Sequence, residues 1–103
     1  MKRKESDIKR ELLKYLAVRG IFAWSNPRTG IYNKKSGGFI PIGLQGVSDI
    51  IGILSSGRLL AIEVKGDKGK LSEAQSRFIN RINKEGGLGI VACSIDDLLE
   101  NGL

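Results

Sequence analysis

Three charged residues stand in or beside two strongly apolar stretches in the middle of the chain. Asp49 belongs to SDIIGIL, residues 48–54, and Glu63 and Lys65 belong to RLLAIEVKG, residues 58–66. A Ser-Ser-Gly sequence separates the two stretches and is typical of the turn in a β-hairpin. The sequence therefore predicts that two acids and a lysine lie close together on neighbouring strands.

The strand alternation predicts how these side chains meet. Glu63 and Lys65 share one face of their strand because side chains two residues apart point the same way. A turn centred on residues 56 and 57 places Asp49 near Lys65 and roughly within reach of Glu63. Two carboxylates held together repel each other unless a cation lies between them.

A divalent cation bound between the two carboxylates would explain why these acids and the lysine lie together. Carboxylate oxygens suit Mg²⁺ or Mn²⁺, and such an ion lowers the pKa of a bound water and neutralises a phosphate. A lysine beside it can orient the water or stabilise the transition state. The alternative is an ordinary ion pair on a water-facing sheet surface.

The composition narrows the possible chemistry and partners. The chain contains no histidine, which excludes Ser-His-Asp triads, histidine metal sites and histidine general bases. Any catalysis must use carboxylate, lysine, hydroxyl or metal. The net charge of +6 favours association with polyanions, either nucleic acid or an acidic surface.

Length and cysteine content predict one intracellular domain. The 103 residues suffice for a single compact domain, residues 1–103. The single Cys93 permits no disulfide framework, which fits the reducing cytoplasm. The sequence has no apolar stretch of roughly 20 residues and no secretory signal, so we expect no membrane association.

Periodicity and turn residues predict an α/β or α+β fold with one mixed sheet. The expected order is helix, three strands, helix, strand and short helix, at residues 5–19, 21–25, 48–54, 58–66, 73–85, 88–94 and 95–101. We expect Ser94 to cap the last helix. Residues 26–46 form a long basic loop, either with a short hairpin around 31–39 or as a disordered insertion.

Two polar residues fall on the apolar sides of the predicted helices. Glu5 projects in the same direction as Leu12 and Leu16, so it is the acid of the first helix that we expect to face inward. Gln75 lies on the buried stripe of the second helix. It also has the spacing of a capping box with Ser72, and the two roles are partly compatible.

The pattern of Asp49 followed by Glu63-Val64-Lys65, between a helix and a glutamine-bearing helix, resembles the PD-(D/E)XK nuclease superfamily. The run from GLQGVSDIIGIL to GRLLAIEVKGDKGKLSEAQSRFINRINKEGG is similar to the VRR-NUC nucleases, in particular the small stand-alone type of phages and bacteria. The resemblance implies a restriction-endonuclease-like αβββαβ core with a short terminal helix. Ser48 stands where that superfamily usually has proline.

The resemblance also implies roles for individual residues. Asp49 and Glu63 would be metal ligands, the carbonyl of Val64 would complete the metal shell, and Lys65 would be the catalytic lysine. Glu5 would bind a second metal or its water, and Gln75 would support the lysine or a phosphate. The implied activity is that of a Mg²⁺- or Mn²⁺-dependent endonuclease on branched DNA such as a Holliday junction, and symmetric cutting predicts a homodimer.

Basic side chains around the proposed site are consistent with DNA as substrate. We expect phosphate contacts from the cations of the loops and of the second helix, namely Arg28, Lys34, Lys35, Lys68, Lys70, Arg77 and Arg81. Trp24 either stacks on a base or belongs to the core. The rival hypothesis is a non-catalytic nucleic-acid or protein-binding module, which the intact set of two acids and a lysine disfavours.

Overall fold

The computed structural model describes residues 3–27, 30–33, 35, 37–41 and 43–103, and for residues 30–33 and 39–41 it describes the backbone alone. These residues form three helices and six strands. In chain order they are α1 (Glu5–Val18), β1 (Phe22–Ser25), β2 (Gly30–Asn33), β3 (Gly38–Pro41), β4 (Ile50–Ile53), β5 (Leu59–Val64), α2 (Glu73–Lys84), β6 (Leu88–Ala92) and α3 (Ile95–Glu100).

Four strands form a mixed sheet in the order β1-β4-β5-β6. The pairs β1–β4 and β4–β5 are antiparallel, and β5–β6 is parallel. The helix α2 supplies the crossover that a parallel pair requires. The predicted α+β core with one mixed sheet, a restriction-endonuclease-like arrangement with a short terminal helix, is confirmed.

A separate hairpin extends from the sheet at the end that carries Asp49. Strands β2 and β3 pair only with each other, within the segment predicted as a long basic loop. Ser25 pairs with Ile50 at this end, and the amide of Asn26 donates to the carbonyl of Asp49 at 2.7 Å. The hairpin around residues 31–39 is thus present, and in the chain it is inserted between β1 and β4.

One face of the mixed sheet carries the main hydrophobic core. Because β5 alternates, Leu60, Ile62 and Val64 all point to this face and are 0–1% exposed. They pack against buried residues of α1 and α3, including Leu12 and Leu98. The predicted amphipathic spacing of α1 is therefore satisfied by this face, and Gly20 follows the helix with φ +74°.

The opposite face is only partly covered. There α2 packs against β5 and β6, with Ile79 7% exposed. The β1 and β4 side of the same face carries Phe22, Trp24 and Ile53, which are 67%, 40% and 41% exposed. The interpretation of Trp24 as a core residue is therefore wrong, because none of the described helices covers it. Its ring instead contacts Phe22, with the centroids 5.2 Å apart.

The two predicted helix caps have different outcomes. Ser72 and Gln75 form the complete capping box at the start of α2. Ser94 precedes α3, but its side chain makes no capping hydrogen bond. The carboxylate of Asp97 accepts from the amide of Cys93 at 2.7 Å instead. The prediction that Ser94 caps α3 is therefore wrong in detail, because Asp97 in the first turn binds the backbone that enters the helix.

No helix in the described part of the chain has the length and apolar character to cross a bilayer.

The approach of Gly46 to α2 gives a test of the fold. A Cβ on Gly46 would lie 2.3 Å from the carbonyl carbon and oxygen of Ala74, and its φ is +77°. We expect Gly46→Ala to lower the unfolding free energy by roughly 3 kcal/mol or more, from backbone strain plus the displacement of α2.

Gly57→Ala is the matched control. Gly57 has φ +85° but nothing within 4 Å of an added Cβ, so it should show only the backbone strain of about 1 kcal/mol. Thermal unfolding of the two variants measures the difference. Equal losses of melting temperature would contradict the close packing of the loop on α2.

Candidate active site

Glu63 is a buried acid on the half-covered face of the sheet. Its side chain is 2% exposed, so it is not part of a water-facing ion pair. Its Oε1 accepts a hydrogen bond from Nε2 of Gln75 at 2.8 Å and lies 3.7 Å from Nζ of Lys65. Its Oε2 is buried and has no hydrogen-bond partner among the described residues. A buried carboxylate oxygen without a partner is costly unless a proton or a cation satisfies it.

Asp49 lies opposite Glu63 in the strand register, whereas the sequence predicted it near Lys65 and roughly within reach of Glu63. The last β4–β5 pair is Ile50 with Ile62, so the next step along both strands places Asp49 opposite Glu63. Asp49 Oδ2 accepts from the amide of Val64 at 2.8 Å. The predicted position was one residue off, because the amide of Leu54 bonds to the carbonyl of Arg58 and centres the turn on Ser56. The correction brings the two acids closer together.

Gln75 forms the predicted capping box and also faces the site, where its side chain binds Glu63. Its Oε1 accepts from the amide of Ser72 at 2.9 Å, and its own amide donates to Ser72 Oγ at 3.1 Å. Its Nε2 remains available for Glu63. The first turn of α2 is therefore attached to the buried carboxylate, and the orientation of Glu63 depends on the helix cap.

A cleft of about 590 Å³ opens over these residues. Its walls come from α1, from the segment before β4 and from the start of α2. Glu5 lines the cleft but is exposed, so the expectation that it faces inward is wrong. As the first residue of α1, it lies at the edge of the cleft rather than over the core. Its Oε1 is 3.3 Å from the position that a Cβ on Gly69 would occupy.

Lys9 and Asn26 also line the cleft, although no motif in the sequence indicated either of them as a site residue. Lys9 lies one helical turn after Glu5, which is the only signal that could have indicated it. Asn26 is the first residue of the predicted loop 26–46, and its residue type alone does not indicate a site. Its position next to Asp49 follows from the β1–β4 register, which one sequence does not specify.

The electrostatic surroundings hold a proton on the acid pair. The pKa of Glu63 is raised from 4.5 to about 8, and burial is the largest cause. The negative charge of Asp49 and a hydrogen bond with its side chain contribute to the same rise, and Glu5 contributes less. The ammonium of Lys65 opposes the shift without cancelling it. Near neutral pH the pair therefore has a site for one positive charge, which a proton or a metal can fill.

The donor atoms fit a hard divalent cation. Mg²⁺ and Mn²⁺ take one or two carboxylates and complete their shell with water and phosphate oxygens. Asp49 and Glu63 supply two carboxylates, and Glu63 Oε2 is otherwise unsatisfied. Within the described ranges no group of three or more His, Cys, Asp or Glu side chains converges on one point. The protein would therefore contribute a sparse ligand set and leave room for substrate.

The predicted DNA contacts are only partly within the described residues. Arg28 and Lys34 lie outside them. Lys35 is exposed in the connection between β2 and β3. Lys68 and Lys70 are exposed between β5 and α2, shortly after Lys65. Arg77 is exposed on α2, where its Nη1 lies 3.7 Å from Glu73 Oε2.

The raised pKa of Glu63 predicts how stability depends on pH in the absence of divalent cations. The folded chain retains a proton that the unfolded chain releases, so the unfolding free energy should fall as pH rises from about 4.5 to about 8. The expected loss is on the order of 3 kcal/mol. Thermal unfolding in EDTA across this range measures it.

Glu63→Gln is the control for this dependence, because glutamine keeps an oxygen acceptor for Gln75 and cannot titrate. The variant should lose less stability than the unmodified chain over the same pH range. Parallel pH profiles of the two proteins would show that Glu63 does not carry the proton.

Comparison with known proteins identifies the family. Searches of curated proteins and of solved structures gave no match. The family model of the VRR-NUC domain matches residues 40–95, more than half of the chain, and this segment contains Asp49, Glu63, Lys65 and Gln75. The chain therefore belongs to the VRR-NUC domain family, a family of nuclease domains of the PD-(D/E)XK type.

Proposed function

We propose that this chain is a Mg²⁺- or Mn²⁺-dependent DNA endonuclease that hydrolyses phosphodiester bonds in the cleft above Asp49 and Glu63. The observation that carries the proposal is the pairing of these two carboxylates with one buried oxygen, Glu63 Oε2, left without a partner. Membership of a nuclease domain family supports the same chemistry.

Asp49 and Glu63 would hold the divalent cation, and the carbonyl of Val64 would add a backbone oxygen. When bound, the cation would neutralise phosphate charge and lower the pKa of a coordinated water. Gln75 supports this role by occupying Glu63 Oε1, which leaves Oε2 available. Val64 supports it by fixing one oxygen of Asp49 through its amide.

Lys65 would act on the phosphate as a localised positive charge. Its side chain is 13% exposed and its Nζ stays within 3.7 Å of Glu63 Oε1, so the ammonium is held at the floor of the cleft. A positive group positioned there can stabilise the charge that develops on a phosphate under attack. Glu5, at the edge of the cleft, would orient the attacking water.

The substrate we propose is branched DNA of the Holliday-junction type. The chain has a net charge of +6, and the β2–β3 hairpin extends from the sheet at the Asp49 end. Phosphate contacts from Lys35, Lys68, Lys70 and Arg77 would read the shape of the backbone rather than base sequence. Arg28 and Lys34 would extend this surface.

We also propose that the active form is a homodimer. Symmetric cutting of two strands requires two sites, and each chain carries one set of Asp49, Glu63 and Lys65. The uncovered side of the sheet offers an apolar surface formed by Phe22, Trp24 and Ile53. Contiguous exposed apolar side chains of this kind often mark contacts between subunits. A second copy covering this surface would place two active sites on one particle.

The nuclease proposal predicts a specific pattern of activity. With Mg²⁺ or Mn²⁺ the chain should nick plasmid DNA and cut a synthetic four-way junction, and EDTA should abolish both. Asp49→Asn and Lys65→Ala should each lower the cleavage rate by roughly 10² or more. Gel electrophoresis of labelled strands measures the rates.

Lys14→Ala is the control for general loss of positive charge, because Lys14 is exposed on α1, away from the residues that line the cleft. It should cleave at the rate of the unmodified chain. Binding of the junction without any cleavage would favour the non-catalytic module. Undiminished cleavage by both site variants would place the chemistry elsewhere.

The dimer proposal predicts that one charge on the uncovered surface separates the subunits. Phe22→Glu should shift the sedimentation coefficient from dimer to monomer and leave the melting temperature of the monomer nearly unchanged. Val18→Glu is the matched control, since Val18 is 86% exposed on α1, an element that packs on the other face. A monomeric unmodified chain, or dissociation by Val18→Glu instead, would refute this interface.

A further inference from the structure

A second groove lies beside the cleft, on the outer side of α2. Its volume is about 790 Å³. One wall is the segment of residues 43–45, and the other is the side of α2 that carries Phe78 and Ile82. We call it the α2 groove. Leu44, Gln45 and Ala74 line both the α2 groove and the cleft, so the two spaces share one wall.

The floor of the α2 groove is apolar and elongated. Ala74, Phe78 and Ile82 recur at every fourth position of the helix and so form one strip about 12 Å long. Leu44 faces this space from the opposite wall and is 72% exposed. Phe78 is only partly buried, so its ring is accessible from the groove. These side chains leave a space with an apolar surface on both sides.

The charges that line the α2 groove all have one sign. Arg77, Arg81 and Lys84 line it, and no acidic residue does so within the described part of the chain. Arg77 and Arg81 each pair with a glutamate one helical turn away, at 3.7 Å and 2.7 Å. These ion pairs are exposed, so redirecting either guanidinium to a phosphate costs little.

An apolar strip beside cations fits unpaired nucleotides better than it fits a paired duplex. The outer surface of a paired duplex presents phosphates and sugars, which gain nothing from covering leucine and phenylalanine. An unpaired nucleotide presents an apolar base face and an anionic phosphate together, and bases stack readily on aromatic rings. The cations on α2 match the phosphate, and Phe78 with Leu44 matches the base.

We propose that the α2 groove binds unpaired nucleotides of the substrate strand next to the phosphate that is cut. The inference rests on the proposed nuclease function, because the wall shared with the cleft makes the groove a continuation of the same strand path. The loop that forms this wall is anchored where Gly46 contacts the backbone of Ala74 and Gln75. Within the branched DNA proposed above, the preferred substrate is therefore one with unpaired nucleotides at the cleavage site, such as a flap or a junction with an unpaired centre.

The test measures binding rather than cleavage. Fluorescence anisotropy with Asp49→Asn in EDTA would compare a blunt duplex with the same duplex carrying a five-nucleotide 3′ or 5′ overhang. We expect at least one overhang to bind about fivefold tighter or more than the blunt end. The fluorescence of 2-aminopurine in the overhang should change on binding if its base stacks on Phe78.

Two further substitutions locate the preference. Phe78→Leu keeps an apolar side chain and removes the aromatic face, and Leu44→Ser changes an exposed residue that the fold does not need. Each should reduce the ratio of overhang affinity to blunt-duplex affinity at least threefold. Val18→Ser, at an exposed position on α1, is the control and should keep the preference. If Phe78→Leu lowers the melting temperature, the overhang preference of Leu44→Ser alone is used to test the groove.

The failure of this inference is distinguishable from the failure of the nuclease proposal. Equal affinity for blunt and overhanging DNA, or a preference that survives both substitutions, would overturn the groove assignment even if the chain cuts DNA. A change in sedimentation caused by Leu44→Ser would assign the groove to a second copy and also overturn it. A chain that prefers the overhang yet never cleaves would refute the nuclease proposal and retain the groove.

Discussion

The arrangement of this molecule depends on a carboxylate buried next to another carboxylate. Glu63 lies in the middle of the sheet with 2% of its side chain exposed, directly across from Asp49. Two neighbouring negative charges are unfavourable in a protein interior. The raised pKa of Glu63 is a consequence of this cost. The surrounding contacts reduce this cost only in part. The amide of Val64 donates to Asp49 Oδ2, and the side chains of Gln75 and Lys65 both contact Glu63 Oε1. Glu63 Oε2 is left for a proton or a cation.

The helix α2 connects this site to the rest of the fold. Its capping box orients Gln75, its first turn is packed against Gly46, and its buried side covers the parallel strands. Its outer side forms the α2 groove. The same dozen residues thus orient Glu63, support the loop before Asp49 and line the groove that we propose binds unpaired nucleotides. A substitution in α2 is therefore expected to affect the orientation of Glu63, the loop before Asp49 and the α2 groove together.

The sequence predicted the element order and most of the site because both depend on local patterns. Alternation placed Glu63 and Lys65 on one face, and the S-x-x-Q spacing placed Gln75 at a cap. The wrong predictions concern the strand register and the exposure of two side chains, which residue spacing does not determine. The register of Asp49 was set by backbone bonds in the turn, and the exposure of Trp24 was set by which part of the sheet α2 covers. Glu5 shares a helix side with Leu12, yet it is exposed because the helix begins there.

The most direct test of the central claim is a calorimetric titration of the protein with Mn²⁺ at pH 7 in buffers of different ionisation enthalpy. If the acid pair exchanges a shared proton for the cation, binding should release about one proton, and Glu63→Gln should abolish both the binding and the release. Binding of Mn²⁺ that releases no proton, or that is unchanged in Glu63→Gln, would contradict the proposed role of the buried pair.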